Sequence, residues 1–252
     1  MAKIVSIHSF RGGTGKSNST ANIAAIVAEK GHQVGIVDTD LYSPGIHVLF
    51  DLKEKDINYT LNDYLWGQCK IEDAAYDVSE VLGQQNEKSK IFLIPSSMKT
   101  GDILQILHEK WDFNRLCDGF YNLIEAKKLD YLFIDTHPGL NEEILLSMSI
   151  SDILVMVLRP DQQDFYGTAV TMEVAQRLGV TKTFLMLNKV IDRIDKDDLT
   201  KKLQRNYKVP LAGILPQTEE MMFLESKGIF SLTNPKDPWS QEIRKVAEKI
   251  GI

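Results

Sequence analysis

The stretch with the densest chemical potential is Arg11-Gly12-Gly13-Thr14-Gly15-Lys16-Ser17, where glycines crowd in just ahead of a lysine and a hydroxyl. Glycine permits backbone angles that aim successive N–H groups at one anion. A lysine at this place reaches β- and γ-phosphates, and the following Ser17 hydroxyl suits Mg2+. Two acidic places extend that chemistry. Val37-Asp38-Thr39-Asp40 sets two carboxylates at the end of one apolar run, and Tyr131-Leu132-Phe133-Ile134-Asp135 ends another run in an acid. An acid ending a buried strand anchors a Mg2+ shell through water, and carboxylates beside the ion orient a water molecule. The bland readings are a tight strand–helix turn and solvated acids at strand ends. The complete Gly-Lys-Ser ending, set between a strand and a helix, argues against the turn.

These residues need a scaffold that brings loop ends together. Short, mostly continuous apolar runs recur at 4–8, 33–37, 91–94, 131–134, 153–158, 183–187 and 211–215, the pattern of strands buried on both faces. Segments with helical spacing lie between them at 17–30, 114–127, 165–178 and 218–227. Alternation of the two implies right-handed crossovers and an α/β fold, a mainly parallel twisted sheet with helices on both faces. Residues 51–90 have the weakest pattern and read as small helices outside the sheet. With no linker, repeat or low-complexity tract, residues 1–252 are expected to form a single domain.

Composition bounds the partners. The chain is 43% hydrophobic and 25% charged, with a net charge of −6, which argues against a surface built throughout for nucleic acid. Two cysteines, Cys69 and Cys117, are too few for a disulfide framework and suit a reducing cytoplasm. No run approaches the roughly 20 apolar residues of a membrane span. A cytoplasmic protein is expected.

Taken together, the phosphate-binding segment resembles the deviant Walker A motif of the ParA/MinD superfamily of P-loop ATPases, usually Lys-Gly-Gly-x-Gly-Lys-Ser/Thr. Arg11 stands where that family has its signature lysine, which crosses a dimer to touch the partner's phosphates. An arginine keeps a multi-donor fork for that task, with altered reach; the plain alternative is a solvated loop arginine. The resemblance implies Lys16, Asp40 and Arg11 as catalytic residues and Ser17, Asp38 and Asp135 as the Mg2+ set. It assigns Gly12, Gly13, Thr14, Gly15, Lys16, Ser17 and Asn18 to the phosphates, although Asn18 replaces a usual threonine. Asp38 to Asp40 is similar to switch I, and Thr136-His137-Pro138-Gly139 to switch II, in which the Gly139 N–H senses the γ-phosphate. His137 reads as a γ-phosphate donor or a turn residue, and the turn is the favoured reading. Asn188 and Pro216 resemble the adenine pocket. Asn188-Lys189-Val190-Ile191 departs from the guanine-reading Asn-Lys-x-Asp pattern, so ATP is expected over GTP.

The resemblance further implies a homodimer formed on ATP binding, slow hydrolysis stimulated by an adaptor protein, and a surface on which a cargo is positioned. That cargo is a plasmid, chromosome region, division machinery or protein compartment. Residues 182–208 carry a net charge of +4, against −10 for the remainder. They offer a non-specific DNA contact, hence nucleoid association, or equally a solvated helix face. Trp239, Ile243, Val246 and Ile250 form one stripe of a last helix. Its small apolar face makes packing on the sheet the better reading and a membrane the weaker partner. A MinD-like membrane regulator and a nucleotide-gated scaffold with little turnover are the alternatives. No cysteine follows Asp135 and no Cys-x-x-Cys is present, which disfavours a cluster carrier.

Overall fold

The computed structural model describes residues 2–83 and 88–252. In chain order the elements are β1 (Lys3–His8), α1 (Lys16–Glu29), β2 (Gln33–Asp38), α2 (Ile46–Leu49), α3 (Leu61–Leu65), β3 (Tyr76–Asp77), β4 (Lys90–Ile94), α4 (Thr100–His108), α5 (Phe113–Lys127) and β5 (Tyr131–Asp135). They continue with α6 (Glu142–Ser149), β6 (Ile153–Leu158), α7 (Gln162–Arg177), β7 (Thr183–Val190), α8 (Lys196–Tyr207), β8 (Leu211–Pro216), α9 (Glu220–Phe223), α10 (Phe230–Thr233) and α11 (Pro238–Lys249).

All the strands join one sheet in the order β3-β4-β2-β5-β1-β6-β7-β8, parallel except for β3. The continuous apolar runs become the central strands because both faces are covered: every residue of β6 is buried. On one face α1 and α11 share a core with Val5, Ile36, Val155 and Trp239. On the other, Phe120 and Leu123 of α5 pack near Leu132, and Leu199 and Leu203 of α8 pack near Leu185. The stripe of α11 is buried in the first of these cores, as its spacing indicated.

Two expectations need correction. The 51–90 stretch contributes a strand as well as small helices, since β3 pairs antiparallel with β4; residues 84–87 lie outside the described residues. The helix expected over 218–227 is cut to α9, because Glu225 and Ser226 turn left-handed and end it. The parallel strands direct their C-terminal ends to one edge of the sheet. The loop after β1 lies there, between strands whose connections depart in opposite directions, where open α/β sheets bind ligands.

Candidate functional site

Helix starts in this chain are mostly closed by side chains: Asp112, Asn141, Asp161, Asp195 and Asp237 each accept from the first turn that follows. Helix α1, like α2, α4, α9 and α10, has no such side chain. Its cap is Gly15, left-handed at φ 93°, with no side-chain acceptor and no acid in the first turn. The N–H groups of that turn are therefore left for an anion, with the helix dipole behind them. They open onto a cleft of about 420 Å³ lined by Gly12, Gly13, Gly15, Lys16, Ser17, Asn18, Asp40, His137 and Lys189.

Behind this cleft lies a compact charge cluster. Parallel pairing sets Asp38 of β2 opposite Asp135 of β5, and both are buried. Burial pushes Asp135 up to about 6, opposed by the Ser17 hydroxyl, the Lys16 charge and the Thr20 hydroxyl. Burial also raises Asp38 well above the usual carboxylate range, with the Asp135 and Asp40 charges adding to it. The Lys16 ammonium is lowered by burial, against the pull of Asp135 and Asp40. Under the loop, His8 is held down to about 3, first by burial and then by Lys16. It is a neutral ring whose Nδ1 faces the Thr136 hydroxyl at 2.7 Å, and that hydroxyl donates to the Ile7 carbonyl at 3.0 Å. Two buried acids, one adjacent ammonium and a serine hydroxyl suit a divalent cation beside phosphate, which Mg2+ meets with one or two carboxylates and retained water.

The two switch segments touch. His137 Nδ1 lies 2.8 Å from Asp40 Oδ1, and the Ser43 N–H donates to that same oxygen at 3.0 Å. Asp38 does something the sequence did not reveal: its two oxygens accept the Asp40 and Gly45 N–H groups at 3.1 and 3.2 Å, shaping the turn after β2. The Gly139 N–H donates to the Ser9 carbonyl at 3.1 Å. His137 is thus more than a turn residue, being the partner of the water-orienting candidate Asp40. Tyr42, edge-on to the His137 ring at 5.0 Å, donates from its hydroxyl to buried Glu143 at 3.2 Å.

Arg11 engages its own chain. Its guanidinium donates to Gln163 Oε1 and lies 3.9 Å from Asp164, which Arg159 also holds through Nε and Nη2 at 3.0 and 3.1 Å. Phe10, one residue earlier, packs on Gly167 of α7.

A second cleft, of about 380 Å³, meets the first at Gly15, Asn18 and Lys189. Asn188, Pro216, Gln217, Thr218, Met221, Met222 and Trp239 complete it. Asn188 donates to the Thr14 carbonyl at 2.8 Å and so ties β7 to the phosphate loop. Lys189, counted in the basic segment, reaches the Gly13 carbonyl at 2.8 Å and belongs to this site instead. Sequence reasoning missed Trp239 here. Its place in a helical stripe explained its burial and hid its indole N–H, which points at Asn188.

The remaining basic residues are not gathered at one point: Lys182 precedes β7, Arg193 lies before α8, Lys196, Lys201, Lys202 and Arg205 are on α8, and Lys208 closes it. The acids Asp192, Asp195, Asp197 and Asp198 all sit toward the end of the sheet that bears the clefts. Lys182, Lys201, Arg205 and Lys208 are exposed, and Lys182 and Lys208 lie at the opposite end, just before β7 and β8. Among the described residues, no helix is long and apolar enough to cross a membrane.

The ParA family model, described as NUBPL iron-transfer P-loop NTPase, matches residues 1–251. An uncharacterized ATP-binding protein of Methanocaldococcus jannaschii is 25% identical over 99% of this chain and 88% of its own length. The septum site-determining protein MinD of Bacillus subtilis is 25% identical over 99% of this chain and 89% of its own. The structure of septum site-determining protein MinD from Pyrococcus horikoshii, complexed with Mg-ADP, superposes with a TM-score of 0.81 at 25% identity, covering 100% of this chain and 96% of that one. A family match over nearly every residue, on a sheet shared with a Mg-ADP-bound relative, leads to one assignment: the chain belongs to the ParA family, within the ParA/MinD superfamily of P-loop ATPases.

Proposed function

We propose that the chain binds ATP with Mg2+, pairs with a second copy around the nucleotide and hydrolyses it slowly. The cycle positions or partitions a cargo, with nucleoid DNA as the surface and an adaptor protein as the stimulator, in the cytoplasm. The observation that carries this reading is the facing of Lys16 and the uncapped start of α1 toward Asp40 across one cleft. Lys16 and the first-turn N–H groups hold the β- and γ-phosphates, and Asn18, which lines both clefts, would meet the α-phosphate. Asp40, steadied by His137, holds the attacking water in line. Ser17 and Asp135, with Asp38 behind them, hold Mg2+, which when bound offsets phosphate charge. The Gly139 N–H leaves Ser9 to meet the γ-phosphate, and Arg11 leaves Gln163 and Asp164 to reach the phosphates of the second copy. Asn188 and Pro216 border the base.

DNA contact falls to the exposed Lys182, Lys201, Arg205 and Lys208, with Lys202 beside them, because this part of the segment is free of the aspartates that neutralise the rest. The buried stripe of α11 gives a membrane regulator no support. Iron transfer, named in the description of the family model, finds no donor set in the two cysteines. Cys69 is pushed up to about 11 by burial, Cys117 is also raised, and no Cys-x-x-Cys links them.

Phosphate release from ATP by the wild type and by Lys16→Ala tests the site, and co-sedimentation with DNA tests the surface. Turnover and ATP binding that both survive Lys16→Ala would remove the assignment. DNA retention unchanged by charge reversal at Lys201, Lys202 and Arg205 would remove the nucleoid surface.

A further inference from the structure

The peptide bonds of the phosphate loop are trans, and in a trans unit the C=O and the following N–H point in opposite directions. Fixing one carbonyl therefore aims the next N–H. Most carbonyls of this loop are fixed by other parts of the chain. The Ser9 hydroxyl donates to the Arg11 carbonyl at 2.6 Å, and the Ser19 N–H to the Gly15 carbonyl at 3.0 Å. The Asn188 amide donates to the Thr14 carbonyl and the Lys189 ammonium to the Gly13 carbonyl, each at 2.8 Å. The N–H groups of Gly12, Thr14 and Gly15 are turned the other way. None of the three has a protein acceptor among the described residues.

Asn188 and Lys189 are consecutive residues of β7, and regular strand geometry would send them to opposite faces of the sheet. A bulge prevents that. Leu187 pairs with Ile214 and Val190 with Pro216, so β7 is one residue longer than β8 across this interval. Lys189 takes up the excess with a left-handed backbone at φ 58°, a conformation that costs any residue bearing a side chain. Both side chains thereby reach successive carbonyls of one loop. Gly13 is the only hydrogen-bond or ion-pair partner of the Lys189 ammonium among the described residues.

We propose that Lys189 is a positioning residue of the phosphate loop: the bulge delivers its ammonium to Gly13, which holds the Thr14 N–H toward the phosphates. The inference rests on the nucleotide reading of the cleft and gives a role to a residue far outside the glycine-rich motif.

The test is equilibrium binding of Mg-ADP and steady-state ATP hydrolysis by the full chain and by Lys189→Met, Lys189→Arg and Lys189→Gly. Lys189→Met keeps the bulk and loses the donor. It binds Mg-ADP about tenfold more weakly, the size of a hydrogen bond from a charged group. KM for ATP rises by a similar factor, and turnover at saturation falls by less than about threefold, because loop placement serves ground and transition states alike. Lys189→Arg, which keeps a charged donor, restores binding to within about threefold of the wild type. The deficit of Lys189→Met persists at roughly 0.5 M salt, since it lies in an internal hydrogen bond. Lys189→Gly binds as weakly as Lys189→Met, yet its nucleotide-free thermal midpoint stays at or above that of the wild type, because glycine takes the left-handed backbone without strain.

Lys189→Met binding Mg-ADP within about twofold of the wild type overturns the inference and leaves the nucleotide site standing. A deficit that vanishes at high salt makes Lys189 a direct charge partner of the phosphates and overturns it as well. A thermal midpoint that falls in Lys189→Gly removes the strain held at the bulge from the account. A wild type that binds no Mg-ADP overturns the nucleotide reading itself.

Discussion

Asp38 and Asp135 stand directly opposite one another on adjacent parallel strands, both buried; the Ser17 hydroxyl and the Lys16 ammonium compensate Asp135, and the Asp40 and Gly45 N–H groups compensate Asp38. Such a pairing costs stability and is retained where a cation and phosphates are to be gathered.

That cost has a pH signature. Asp135 titrates near 6 in the folded chain against an ordinary 3.8, so its contribution to stability is present below the lower value and lost as pH rises through the upper one. Full ionisation costs about 3 kcal/mol by pH 8. His8 works in the opposite sense: depressed to about 3, it favours folding above its ordinary 6.5 and loses that contribution as pH falls. Comparing nucleotide-free wild type with Asp135→Asn removes this carboxylate together with its repulsion of Asp38. In urea unfolding the variant gains on the wild type by up to about 3 kcal/mol between pH 4 and pH 8. A difference that stays flat with pH would contradict the buried-acid account.

His137 acts through Asp40. Replacing it by alanine lowers the turnover number by about ten- to a hundredfold while ATP affinity changes little, because the loss lies in water placement and not in phosphate binding. His137→Asn recovers part of the rate by restoring a hydrogen-bonding group to Asp40. A rise in KM at unchanged turnover would instead make His137 a phosphate ligand.

Arg11 is bound in cis to Gln163 and Asp164. If it reaches the partner's phosphates, Arg11→Ala lowers single-turnover hydrolysis by at least about a hundredfold, and Arg11→Lys lowers it less. Unchanged hydrolysis in Arg11→Ala would leave Arg11 a loop residue held by α7.

Gly167→Ala gives a result opposite to helix propensity. Glycine to alanine inside a helix ordinarily stabilises by about 0.5–1 kcal/mol. Here the added Cβ would lie 1.9 Å from Phe10 Cδ1, so Phe10 must leave its seat on α7. Thermal unfolding should show a net loss of about 1–2 kcal/mol. A gain would mean that Phe10 is not held there.

The fold and the phosphate loop were readable from sequence for a local reason. Continuous apolar runs such as 153–158 mark a strand covered on both faces, and Gly12 to Ser17 carry their chemistry within one turn. What was not readable depends on distant residues meeting. The pairing of His137 with Asp40 joins positions 97 apart, and that of Trp239 with Asn188 joins positions 51 apart. Strand β3 escaped because two residues at a sheet edge carry no periodicity. The basic segment was visible as charge, but only the direction of α8 separates the aspartates near the clefts from the lysines and arginine farther along it.

The central claim is that nucleotide state sets assembly through this site. Its most direct measurement is the solution mass of Asp40→Ala, expected to bind ATP without consuming it, by sedimentation velocity with Mg2+ and either ATP or ADP. The account predicts twice the chain mass with ATP and the single-chain mass of 28.5 kDa with ADP, the ATP effect being abolished by adding Lys16→Ala. The same mass with both nucleotides would contradict it.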